Sequence, residues 1–183
     1  VYLLPESEAG SVRFLLAELA VLEAQTAPES MTLQARAALQ DQLGALDRDS
    51  ISTEELIRYA AYALSLTDPG LAAQAYRDLA VRDETRRDSW LNEAARAHLG
   101  AGETSAAAEL FIEQLSDAET TADRRRYLHQ AFSALLSADR SEQAAELVHR
   151  HLSLMNAEDG ALFSAAVQAG IGTRRYDLAT DTI

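Results

Sequence analysis

One pattern of apolar residues comes round four times between Leu56 and Ile183, and it restricts the fold more than any other feature of the chain. In its first occurrence Leu56, Tyr59, Ala60 and Ala63 stand at i, i+3, i+4 and i+7, one stripe of a helix. A second stripe follows with Ala72, Tyr76 and Leu79, and Asp68-Pro69-Gly70 lies between them. Asp suits a helix N-cap and Pro the first helical position, so the segment reads as an αα-hairpin. The pattern returns 35 residues on (Leu91, Ala94, Ala95, His98, then Gly102, Ala107, Phe111). It returns 37 further on (Leu128, Ala131, Phe132, Leu135, then Ala144, Val148, Leu152). Another 35 gives Phe163, Ala166, Val167 and Gly170, then Ala179 and Ile183.

Composition agrees with helices throughout. The 183 residues include 36 Ala and 27 Leu but only 8 Gly and 3 Pro, and Ala and Leu lose least on entering a helix. Helix-start signals fall where the period needs them: Ser52-x-x-Glu55 has the spacing of a capping box, and Asp139 with Glu142 predicts another start. Polar links at Asp83–Asp88, Asp117–Asp123 and Asn156–Gly160 separate the hairpins. The expected organisation is therefore a helical hairpin over 1–50, repeats over 53–86, 88–122 and 123–157, and a truncated repeat over 158–183. Within 1–50, a helix over Glu8–Ala24 uses Phe14, Leu15, Leu19 and Leu22. Ala27-Pro28-Glu29-Ser30 breaks it, and a second helix to about Leu46 uses Leu33, Ala37, Leu43 and Leu46.

The period of 34–37 residues, with small residues at the helix crossing and a large one a turn later, resembles the tetratricopeptide repeat (TPR). Ala60, Ala72, Tyr76, Ala95, Gly102, Ala107, Phe111 and Ala144 stand at motif positions. The chain departs from the motif at Trp90, one place before the large-residue position that Leu91 takes, and at His98, where an aromatic is usual. It departs again at Phe132, where Gly or Ala is usual, and it lacks the closing proline. The resemblance implies an all-α fold, a right-handed superhelical stack of antiparallel hairpins. In such an α-solenoid each hairpin buries its faces on its neighbours. Ala60, Ala72, Tyr76, Ala95, Ala107, Phe111, Ala144 and Val148 are the expected packing residues between repeats.

Repeat proteins bind on the concave wall of the stack, which the first helix of each hairpin would line. Positions one, five and eight after the large residue give Ile57, Ala61 and Leu64; Asn92, Arg96 and Leu99; His129, Ser133 and Leu136; and Ser164, Gln168 and Ile171. From this set Ile57, Ala61, Asn92, Arg96, Leu99, His129, Ser133 and Gln168 are the candidate partner-binding residues, with Arg96 and His129 the specific donors. TPR domains that clamp a chaperone's terminal carboxylate carry Lys and Asn on this wall. Here every one of the 16 basic residues is Arg, and Arg96 beside Asn92 is the nearest approach. Arg86-Arg87, Arg124-Arg125-Arg126 and Arg174-Arg175 read as exposed partners for the many acids, worth about 0–1 kcal/mol per pair.

No catalytic, cofactor or metal site is expected. The chain has no cysteine, no HExxH, no GxSxG and no Gly-rich phosphate loop. His149 and His151 are two apart, so on a helix they point to nearly opposite sides, and His98 holds a core position. A net charge of −13 argues against nucleic acid and anionic lipid as partners, and no apolar run reaches the roughly 20 residues that cross a membrane. The partner expected is another protein. Acidic, Lys-free and Cys-free TPR arrays resemble the periplasmic regions of bacterial exopolysaccharide exporters, the Pel type first and the cellulose and poly-N-acetylglucosamine types similarly. That resemblance implies an excised segment of an outer-membrane protein, docking a polysaccharide-modifying enzyme and guiding polymer. Glu103, Glu109, Glu113, Asp117 and Glu119 gather along one hairpin and the turn after it, either as a solvated helix face or as a surface for a cationic partner such as an amino-sugar polymer. A cytoplasmic TPR adaptor in a signalling or secretion complex and a substrate-recruiting arm of a transferase are the alternative readings.

Overall fold

A computed structural model describes residues 6–26, 33–155 and 159–172. Among the described residues there are nine α-helices and no strand. They are α1 (Glu6–Thr26), α2 (Leu33–Gly44), α3 (Thr53–Ser65), α4 (Pro69–Arg82), α5 (Arg87–Gly100), α6 (Thr104–Asp117), α7 (Thr121–Ser137), α8 (Ser141–Arg150) and α9 (Gly160–Gly172). The fold is all-α, as the periodicity predicts. The Ala27–Ser30 break, the Arg174-Arg175 pair, and Ala179 and Ile183 of the last expected helix lie outside the described residues. The chain forms two compact units, Val1–Ala97 and His98–Ile183, with the boundary inside α5.

In the first unit α3 and α4 form the predicted hairpin. Ser52 opens α3 with the full capping box: its Oγ accepts from the Glu55 N–H, and the Glu55 carboxylate accepts from the Ser52 N–H at 2.7 Å. Asp68 opens α4 by accepting from the Leu71 N–H at 3.0 Å, with Pro69 next to it. The core gathers Leu56, Tyr59, Ala60 and Ala63 of α3 with Ala72, Ala75 and Leu79 of α4, and Phe14, Val21 and Leu43 reach in from α1 and α2.

The first hairpin turns a different face inward from the one expected. In α1 the buried side chains are Phe14, Ala17 and Val21, while Leu15, Leu19 and Leu22 are exposed at 47%, 56% and 41%. In α2 Leu43 is buried but Leu33 is 84% exposed and Ala37 is also exposed. On its inward side α1 makes a close approach at Gly10. A Cβ there would run into the Ser50 side chain and stand 2.7 Å from the Ser50 carbonyl oxygen. Bonds from Ser11 to Glu55, and from Tyr62 and Arg58 to Glu18, tie the same side of α1 to α3.

In the second unit α6 packs on α7, α7 on α8, and α8 on α9. Phe111, Leu110 and Leu115 of α6 and Tyr127, Leu128, Phe132 and Leu135 of α7 are buried. One sequence expectation fails here. Asp139 does not cap α8, which begins at Ser141 behind Arg140 with no side-chain cap. Asp139 instead takes a left-handed backbone, with φ of 58°.

That conformation belongs to a turn the chain makes three times. Thr67, Gly102 and Asp139 have φ of 59°, 77° and 58°. At each, the following N–H reaches back five residues: Asp68 to the Ala63 carbonyl, Glu103 to His98 and Arg140 to Leu135, all at 2.9 Å. This is the Schellman ending, in which the 6→1 bond satisfies a carbonyl the helix leaves bare. Its spacings, 35 from Thr67 to Gly102 and 37 from Gly102 to Asp139, equal those of the apolar pattern. Glycine supplies the conformation without strain only at Gly102; a β-branched Thr67 adopts it least readily.

Candidate functional site

Each turn ends a first helix, and the residue three before it is a large apolar side chain left partly in solvent. Leu64 is 43% exposed, Leu99 41% and Leu136 37%, and Ile171 of α9 is 52% exposed. The other wall positions also reach solvent. Ala61, Arg96, Ser133, Ser164 and Gln168 are exposed, and Ile57, Asn92 and His129 are half-buried. By contrast Ala60, Ala72, Ala95, Ala107 and Ala144 have no exposed surface, nor has Val148; Phe111 keeps 4% and Tyr76 is half-buried. The same period therefore sorts residues into an interior set and a surface set.

The two donors singled out in the sequence differ sharply. Arg96 is 75% exposed and pairs with Glu93 on its own helix at 3.1 Å. Asn92 donates to the Asp88 carbonyl at 2.9 Å, so the two do not converge on one ligand position. His129 is tied into the fold. Its Nε2 lies 2.8 Å from Asp159, and Arg125, one turn earlier on α7, reaches both oxygens of the same carboxylate at 3.3 and 3.1 Å. Asp159 is only 5% exposed. Asp159 stands 30 residues from His129, just ahead of α9. The i, i+4 spacing of Arg125 and His129, which puts two donors on one helix face, was the available signal.

Beyond this cluster lies an open pocket of about 590 Å³, lined by Asp139, Arg140, Ser141, Glu142, Gln143, Gln168 and Gly172. It joins the α7–α8 turn to the C-terminal half of α9 and includes one predicted wall residue, Gln168. Its lining mixes carboxylates, amides and one guanidinium whose nearest carboxylate is Glu109 at 3.6 Å. Such a surface offers polar and charged contacts.

In the first unit an aromatic stack stands where Trp90 departs from the repeat pattern. Tyr76 and Trp90 lie 6.1 Å apart with their planes 14° from parallel, and the Arg86 guanidinium covers Trp90 at 4.8 Å. Asp83 accepts from Thr85, Arg86 and the Trp90 indole N–H, and these bonds, that from Thr85 first, hold its carboxyl at a pKa of about 2.

The Arg runs are engaged locally. Arg124 donates to the Ala118 carbonyl at 2.8 Å, and Arg126 pairs with Asp123 at 2.9 Å while covering the Tyr127 ring. His98 is bonded to Glu103 at 2.7 Å. Burial, then Arg150 and Arg124, push the His151 pKa down, which favours the neutral ring. Among the described residues no three His, Asp or Glu side chains are placed to share a metal ion, and no helix is long and apolar enough to cross a membrane. In comparison with known proteins, the chain matches no family model, no curated protein and no solved structure.

Proposed function

We propose that the chain is a non-catalytic scaffold of TPR-like hairpins, stacked as a right-handed superhelix, that binds another protein along the faces of its first helices. The reading rests on one observation above others. An identical helix-ending turn recurs at the spacing of the apolar pattern, and each time it leaves a leucine of the same position partly in solvent: Leu64, Leu99 and Leu136. Half-exposed apolar side chains among neutral polar ones, Ser133 and Gln168 here, give contact area without the desolvation of charges.

Within this proposal the biological setting is the periplasmic segment of an exopolysaccharide exporter, where the partner is a polymer-modifying enzyme. The net charge of −13 with no lysine and no cysteine supports it, because an acidic surface suits a cationic amino-sugar polymer and repels nucleic acid.

The test is capture of partners from periplasmic extract by the immobilised chain, with identification of what binds. Leu64→Glu and Leu136→Glu put charges on the proposed contact face, and Val81→Glu, at a 79% exposed position on α4, is the control. Capture of an enzyme by the parent and the control but not by the two variants supports the reading. Equal capture by all of them removes the first-helix face from consideration. His129→Ala is a poor probe, since it strips a partner from buried Asp159.

A further inference from the structure

We propose that Arg125, His129 and Asp159 form a clasp that holds α9 down, and that α9 opens as an element of its own when the clasp is broken. The proposal follows from how few of the described side chains of this helix are buried where it packs on α8. Among its described side chains only Leu162 and Ala166 are buried apolar groups; Phe163 and Val167 are half-buried and Ile171 is largely in solvent. By comparison α7, the helix that supplies Arg125 and His129, buries Tyr127, Leu128, Ala131, Phe132, Ala134 and Leu135. Apolar burial scales with area removed from water, so α7 is anchored by two aromatic rings and two leucines where α9 has one leucine.

Asp159 adds what α9 lacks. It stands immediately before Gly160, the first residue of the helix, and its carboxylate is 5% exposed with Arg125 and His129 both bonded to it from α7. A carboxylate buried this far is tolerable only while its partners are in place, and removing one side of a buried ion pair is far more costly than loss of a surface one. Docking of α9 is thus coupled to one ion pair and one histidine hydrogen bond on a buried carboxylate as well as to its apolar contacts. The polar pocket depends on it as well, because Gln168 and Gly172 supply its α9 side.

Hydrogen exchange read by mass spectrometry on the full chain tests this. Asp159→Asn keeps the shape and removes the charge. The amides of α9 should then exchange faster by a factor on the order of 100, the lower end of what a broken buried ion pair yields, while those of α6 and α7 change by less than about threefold. No acceleration in α9 would overturn the proposal, and so would equal acceleration of α6, α7 and α9. Should the variant fail to fold, the parent chain gives the answer in rising urea. Exchange in α9 should report opening at lower urea than exchange in α7, and a shared dependence on urea would overturn the clasp.

Discussion

The α3–α4 hairpin and the α1–α2 hairpin lie in the same unit, yet their relation to solvent is opposite. In α3 the apolar residues form one stripe, and Leu56, Tyr59, Ala60 and Ala63 are all fully buried. In α1 apolar residues run round the whole helix. Phe14 and Val21 go inside while Leu15, Leu16, Leu19 and Leu22 stay 41–63% exposed. A one-sided stripe states both that a helix forms and which way it faces. An all-round apolar helix states only the first. Its orientation then goes with contacts that the stripe does not encode, here the meeting of Gly10 with Ser50 and the bonds of Ser11 and Glu18 to α3.

The largest effect that would break this contrast is a pair of leucine truncations. Leu56→Ala should cost about 2–5 kcal/mol of unfolding free energy, and Leu19→Ala less than about 0.5 kcal/mol, both from urea denaturation. Equal costs would mean that the outward face of α1 is covered.

Gly10→Ala comes next, at about 1–3 kcal/mol, because an added methyl must push Ser50 and the α1 backbone apart. The matching control is Gly100→Ala at the end of α5, where an added Cβ meets nothing within 4 Å and stability should hold or rise.

Ser52→Ala sharpens the other side of the contrast. It removes the capping box of α3 and should cost about 1 kcal/mol. The Glu55 carboxyl should titrate higher in that variant. Burial pushes it up, but the bonds from Ser52 and then Ser11, with Arg58 nearby, hold it below its usual range.

The smallest effect is in acid. Asp83 has its pKa lowered to about 2, so the stability it contributes is complete above the ordinary carboxylate range near pH 4 and is lost as pH falls from there through about 2. Asp83→Asn should flatten that part of the urea-midpoint profile, with Trp90 fluorescence as the local reporter because the indole N–H is bonded to Asp83.

Much of the fold was legible because short-range chemistry and packing agree where the helices are one-sided. Ser52, Asp68 and Pro69 open α3 and α4 where capping rules put them. The Asp139–Glu142 spacing misled because a left-handed turn and a helix cap favour the same residue type. Asp serves either role, and the 35–37-residue period, aligning Asp139 with Gly102, was the better guide. At the candidate site the surface positions followed from periodicity, but the Asp159 cluster did not. Contacts between residues 30 and 34 apart leave no local pattern, and they emerge only once Asp159, just ahead of α9, is brought against α7.

The central claim is that 35–37 residues make one interchangeable unit, and deleting one whole unit tests it most directly. Removal of residues 91–127, which joins Trp90 to Leu128, takes out 37 residues and leaves equivalent positions in register. Circular dichroism with urea denaturation should show a helical chain that still unfolds cooperatively, with a denaturant dependence reduced in proportion to length. Deletion of residues 91–108, half a period, should abolish the transition. A whole-period deletion that leaves no cooperative transition, or a half-period deletion that is tolerated equally well, would contradict the account.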